Sequence, residues 1–150
     1  MKYPKIISLI FLMLMAACDR EDESSNISPV DSVILISAIE TSAPKEIILN
    51  CRTKKEYQCY NYKIVTSKRT GQKSVEINFE SIKGERLCAT ALGPATAMIN
   101  LGEFAIGEYS LSLNVMESQN EGRLIITPTE IKFEFDNQNG IEILTPIVQR

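Results

Sequence analysis

The sequence predicts an all-β domain, and three observations carry that expectation. From Val30 onward apolar residues recur with period two, turn-forming residues punctuate the chain roughly every eight to twelve positions, and no stretch of ten or more keeps a clean helical period. The segments read as strands are 31–39, 45–51, 58–66, 73–81, 96–101, 108–116, 122–127, 129–136 and 140–144. Polar residues alternate with the apolar ones (Asn61, Lys63, Glu76, Asn78; Ser110, Ser112, Asn114; Lys132, Glu134), so one side of each strand is expected to be wet.

Facing residues of an antiparallel pair must point to the same side, which gives each hairpin a test. Ile64 against Val75 sets Tyr62 opposite Ile77 and Tyr60 opposite Phe79, around a turn at Lys68-Arg69-Thr70-Gly71. Val115 against Leu124 brings Leu113 to Ile126 across residues 117–122. Phe135 against Ile141 brings Phe133 to Ile143 across residues 136–140. Two antiparallel sheets packed face to face would make an immunoglobulin-like β-sandwich of about seven to nine strands. A partly open β-barrel is the alternative.

The length of 150 residues suits one domain. A 44% hydrophobic and 23% charged composition is that of a globular chain. Histidine is absent, which removes the commonest general acid/base and the commonest transition-metal ligand. Lys2 and Lys5 are the only charges before Cys18. Without residues 1–17 the balance is 14 basic against 19 acidic side chains, or −5, the wrong sign for a nucleic-acid partner.

Residues 1–17 read as a signal peptide. Lys2 and Lys5 form a basic start, Ile6–Met15 is apolar except for Ser8, and small residues precede Cys18. The run is too short to span a bilayer as a helix. Met15-Ala16-Ala17-Cys18 resembles the bacterial lipobox, with Met15 in place of the usual Leu; the resemblance implies acylation of the Cys18 thiol and cleavage ahead of it. Two or three acyl chains such as palmitate would hold the protein on its membrane, since each buried methylene contributes roughly 0.8 kcal/mol. Residues 18–29 follow as a tether whose acidic run Asp19-Arg20-Glu21-Asp22-Glu23 cannot bury apolar area. That cluster resembles the surface-export signal of Bacteroidota lipoproteins, which implies the outer membrane; by the enterobacterial rule Asp19 would imply retention in the inner membrane. The folded domain is expected over 30–150.

Further along, Tyr57-Gln58-Cys59-Tyr60-Asn61-Tyr62, Cys88 with Gly93-Pro94-Ala95-Thr96-Ala97, Gly107-Glu108-Tyr109-Ser110-Leu111 and Gly122-Arg123-Leu124 resemble a group of small lipoproteins of Bacteroidota, over most of residues 45–130. The resemblance implies an Ig-like fold and an envelope address, and no activity. The tryptophan and cysteine spacing of antibody domains is missing, because the chain has no Trp.

With Cys18 acylated, Cys51, Cys59 and Cys88 remain in an oxidising compartment, enough for one disulfide and one free thiol. Cys51 follows Ile47 and Leu49 in phase and should face the core. Pairing that strand with 58–66 points Cys59 to the other side. This favours Cys59–Cys88 with Cys51 as a buried hydrophobe; a Cys51–Cys59 bond needs a slip in an Arg52–Gln58 turn and stays open. A metal site is disfavoured, as no CxxC pair or His is present.

No phosphate loop, GxSxG, HExxH or EF-hand motif occurs, and no cofactor is expected. Glu76 with Glu80, and Glu130, Glu134 and Glu142, read as solvated faces rather than a glycosidase pair. Lys54-Lys55 and Lys68-Arg69 read as turn tips, with an anionic glycan or lipopolysaccharide as the functional alternative. The 84–97 segment, small, apolar and turn-forming, is the expected contact loop through Thr90, Leu92, Gly93 and Pro94, with Tyr57 as an exposed aromatic nearby. The expectation is therefore a non-catalytic, lipid-anchored binding or assembly module with an envelope protein or glycan as partner. The competing class is a small envelope enzyme or inhibitor acting through that loop or the Cys51 thiol.

Overall fold

The computed structural model describes residues 26–59, 61–84 and 91–150. They form eleven strands and no helix: β1 (Asn26–Ser28), β2 (Ile34–Glu40), β3 (Glu46–Tyr57), β4 (Lys63–Thr70), β5 (Ser74–Gly84), β6 (Gly93–Glu103), β7 (Gly107–Val115), β8 (Ser118–Ile126), β9 (Glu130–Phe135), β10 (Ile141–Ile143) and β11 (Ile147–Gln149). The chain is all-β, as its period-two pattern requires. The strands make one curled sheet in the order β10-β2-β3-β6-β4-β5-β7-β8-β9-β11, with β1 added to the end of β5. This is the partly open barrel that stood as the alternative. The sheet is mixed rather than wholly antiparallel, because β10–β2, β5–β7 and β4–β6 run parallel.

The core lies inside the curl, and each long strand contributes alternate residues to it: Ile47, Leu49 and Cys51 from β3, Val75, Ile77 and Phe79 from β5, Leu111, Leu113 and Val115 from β7. Burying each such side chain fully contributes roughly 1.5–3 kcal/mol relative to leaving it exposed. In β5 the alternation slips after Phe79 and resumes at Ile82, where a bulge between the β4 pairs Val65–Ser81 and Thr66–Phe79 inserts one residue.

The expected strands are found at least in part, but the described residues of 58–62 are not strand, β4 runs on to Thr70, and the hairpin registers differ. Ile64 pairs with Ile82 rather than Val75, and the β4–β5 turn is at residues 71–73. Leu124 pairs with Tyr109 rather than Val115: β8 begins at Ser118, after a two-residue turn in which Met116 adopts a φ of 52°. Gly122, expected in that turn, lies inside β8 opposite Phe135, whose ring occupies the place a Cβ would take at 2.5 Å. The 52–57 segment is not a turn but the continuation of β3, which pairs with β2 and β6 and not with β4. Asn26–Ser28, expected in the solvated tether, is strand β1 on β5.

The third hairpin does not form. After β9 the chain crosses to the far edge of the sheet, and Ile141–Ile143 lies parallel to β2. Buried Asn120 steers this crossing: its Nδ2 donates to Leu113 O (2.8 Å) and Asn139 O (3.0 Å), and its Oδ1 accepts from Asn139 N (2.6 Å). Gly140, with φ +74°, then turns the chain into β10 and its carbonyl accepts from Ile34 N at 2.9 Å.

The last ten residues draw the ends of the sheet together. Leu144 N donates to Ile36 O (2.8 Å) and Thr145 Oγ1 accepts from Ala38 N (2.5 Å), both on β2. One residue later Pro146 O accepts from Phe133 N of β9 (2.8 Å), and β11 pairs with β9. Arg150 closes the join. Its Nη2 lies 2.8 Å from Glu40 on β2 and its Nη1 donates to Thr127 O at 2.9 Å; the side chains of Arg150 and Glu40 are only 10% and 7% exposed.

Removing one partner of a buried ion pair strands the other charge. Arg150→Ala is expected to cost about 3–5 kcal/mol, read as a fall in Tm of on the order of 10 °C. The Glu40→Ala/Arg150→Ala double variant should lose less than the two single variants combined. A single-variant loss below about 1 kcal/mol, as for exposed pairs, would show that closure does not depend on this contact.

Candidate binding surface

The registers define two ends of the barrel. Asn26, Ile34, Tyr57, Lys63, Gly84, Gly93, Val115 and Phe135 lie at or toward one, the near end, and segments 41–45, 71–73, 104–106 and 127–129 lie at the other. At the near end β3 and β6 pair Tyr57 with Gly93 and Glu56 with Pro94. Where their ladder is interrupted, buried Thr53 replaces it, accepting from Ala95 N (2.9 Å) and donating to Lys55 O (2.8 Å).

An aromatic cluster covers this corner. Tyr57 Oη donates to Asp31 Oδ1 at 2.7 Å, Lys55 Nζ bonds the other Asp31 oxygen, and that ammonium stands 5.2 Å from the Tyr57 ring centroid. The Tyr57 ring stacks on Tyr62 with centroids 5.0 Å apart and planes 20° apart. Tyr62 in turn lies on Gly84, where a Cβ would fall 2.7 Å from its ring. Hydrogen bonds from Lys55 and then Tyr57 hold the Asp31 carboxyl below the usual carboxylate range. Burial, then the Asp31 bond, pushes the Tyr57 phenol up, so it remains a hydrogen-bond donor at neutral pH.

The structure thus brings four of the expected contact residues together, Tyr57, Gly93, Pro94 and Leu92, the last 68% exposed. Two expectations change. Gly93–Ala97 is the start of β6 rather than a loop, with Gly93 and Ala95 buried. Tyr57 is half-buried and hydrogen-bonded rather than an exposed tip. Cys18, Tyr60, Cys88 and Thr90 lie outside the described residues. Asp31 and Gly84 were missed, because nothing in their local sequence ties them to Tyr57; the segment before β2 and the end of β5 bring them to it, while Tyr62, expected in the core, stacks on Tyr57 instead.

A second feature is a shallow groove of about 330 Å³ on the outer face of β2, β3 and β6. Leu35, Arg52 and Thr96 form one row across the three strands, Ser37, Asn50 and Met98 the next, and Leu144 walls the edge.

The remaining candidate chemistry is dispersed. Glu134 lies between Lys132 (2.6 Å) and Arg123 (2.6 Å), and the Lys132 hydrogen bond foremost lowers its pKa, opposite to what a general acid needs. Lys68 donates to Asn100 O and Arg69 lies 3.9 Å from Glu76, so that basic couple is tied to its own surface. Among the described residues no group of three His, Cys, Asp or Glu converges as a metal site.

Comparison of the chain with protein-family models, with curated proteins and with solved structures returns no match.

Cys51 is a free thiol, 2% exposed, which is not compatible with a Cys51–Cys59 bond. Burial pushes its pKa up to about 12, so almost no thiolate exists at neutral pH. A thiol reagent should label Cys51 only after denaturation. In the unfolded chain this thiol ionises near pH 9.0 while the folded one keeps its proton. Stability should therefore hold below that pH and fall as pH rises toward 12. Cys51→Ala should lack that part of the alkaline slope in denaturant titrations, and rapid labelling of the native protein would contradict the assignment.

Proposed function

We propose that the protein is a lipid-anchored cell-envelope module, acylated at Cys18, that binds an envelope partner or supports an assembly through the near end of its barrel without catalysing a reaction. The observation that carries the reading is the place of Asn26: the described chain starts on β1, antiparallel to the end of β5, at the same end as Tyr57, Leu92, Gly93 and Pro94. Cys18 precedes Asn26 by eight residues, so an acylated Cys18 could lie at most about 28 Å away. Anchor and contact surface would then share one end, and a partner bound there would sit close to the membrane. The far end would face away. The signal peptide and the acidic run after Cys18 favour the outer membrane as the address.

The Cys59–Cys88 disulfide belongs to the same proposal. Cys51 is free in the core, and Cys59 is buried with a bonded sulfur. The bond would close a loop of about 30 residues and contribute on the order of 3–4 kcal/mol. Non-reducing peptide mapping should recover a peptide pair containing Cys59 and Cys88; Cys59 recovered as a free thiol would contradict it.

Two measurements test the main reading. Mass spectrometry of the native polypeptide should find residues 1–17 absent and acyl chains on residue 18. A photo-crosslinking side chain placed at Leu92 should give discrete adducts in intact envelopes, whereas one at Ile106, 66% exposed beside the far end, should not. An unprocessed N-terminus without lipid removes the address, and adducts from Ile106 alone move the contact surface to the other end.

A further inference from the structure

We propose that a cationic row on the outer face of the barrel, Lys83, Lys63 and Arg52 with Lys54 beside it, docks on the phosphates of the anionic lipid surface that holds the anchor. This rests on the anchor reading above. Register places the row: Ile27 pairs with Lys83, Lys83 with Lys63, Lys63 with Thr96, and Thr96 with Arg52, so five adjacent strands present these residues in line. Lys54 is two residues beyond Arg52 on the same outward face of β3, and all four cations are exposed.

Several features separate this row from an ordinary wet face. Lys63 stands directly opposite Lys83, so two cations share one cross-strand position. The full chain carries a net charge of −3, so the row concentrates cations against the sign of the whole. Of the described basic side chains outside the row, Lys55 pairs with Asp31, Arg69 with Glu76, Arg123 and Lys132 with Glu134, and Arg150 with Glu40. None of the ion pairs among the described residues involves Arg52, Lys54 or Lys83. Acids near the row among the described residues are Glu56 on β3, exposed Glu80 on β5 three residues before Lys83, and Glu142, which pairs with Leu35 at the far side of the row.

Position selects a membrane over a soluble polyanion. The row begins at β1, next to the point where the tether leaves the barrel, and Ile27 at its head is 62% exposed, an apolar group placed to enter the lipid interface. Each basic residue near an anionic leaflet raises binding about fivefold, and salt screens the effect.

The test uses residues 18–150 carrying Cys18→Ser, so that no acyl chain contributes and the outcome is independent of whether the native protein is lipidated. This chain should float with phosphatidylcholine vesicles containing about one third phosphatidylglycerol, in a salt-sensitive way, and not with phosphatidylcholine alone. Arg52→Glu and Lys63→Glu should each weaken binding at least about fivefold. Lys45→Glu and Lys73→Glu, at the far end, change net charge equally and should leave it unaltered. Lys83→Glu should weaken binding to the same extent. Should a reversal impair folding by circular dichroism, Lys63→Gln and Arg52→Gln replace it. Equal flotation with both vesicle types, equal loss from the far-end variants, or binding to soluble dextran sulfate without binding to vesicles overturns the proposal.

Discussion

A curled sheet ends in two rows of unpaired backbone groups, and the joining of those rows is the constraint on which this structure depends. Residues 141–150 meet it by serving both ends in turn. They add β10 to β2, step across through Leu144, Thr145 and Pro146, and add β11 to β9. The Arg150–Glu40 pair then sits where the two ends meet, largely out of water, with Thr127 O taking another guanidinium proton. Without that join the inward faces of β2 and β9 would lose their cover, since a single sheet has no second layer to bury them.

At the opposite side the sheet is held more lightly. β4 and β6 share one bridge, Lys63 with Thr96, and then diverge, with Lys68 reaching across to Asn100 O. The curl is thus held by covalent continuity on one side and by a short parallel contact on the other. The polar residues inside the curl are positioned by this geometry. Thr53 and Asn120 lie at inward positions of β3 and β8, and each satisfies backbone groups that a broken ladder or a crossing segment leaves without partners. Their burial is compatible with stability only because every bond is made.

The proposed contact surface illustrates how a site is assembled from separated strands. Tyr57 and Pro94 could be suspected individually, as an aromatic near a cysteine and a turn-forming proline. Their adjacency follows from β3 continuing six residues past Cys51, a continuation that the polar run Arg52-Thr53-Lys54-Lys55-Glu56 does not advertise. Asp31 and Gly84 join the cluster through β2 and β5 and carry no local sign of doing so. The row of cations is of the same kind: Lys83, Lys63 and Arg52 are unremarkable apart, and only strand order puts them in line.

The alternation of apolar and polar residues determined the strand class, the approximate extent of nine strands and the inward face of nearly every one, because side chains on a strand point to opposite sides in turn. It did not determine pairing. A register slipped by an even number of residues keeps every side chain on its face, so Val115 satisfies the phase test equally well against Leu124 and against Ser118. One register signal was present and local, the slip of phase between Phe79 and Ile82 that marks the bulge. Whether Ile141–Ile143 folds back on β9 or crosses to β2 was decided by Asn120, Gly140 and the open edge of β2, contacts between residues far apart in the chain. Periodicity is a property of single strands, while register and strand order belong to the whole sheet, and only the tertiary structure could set them.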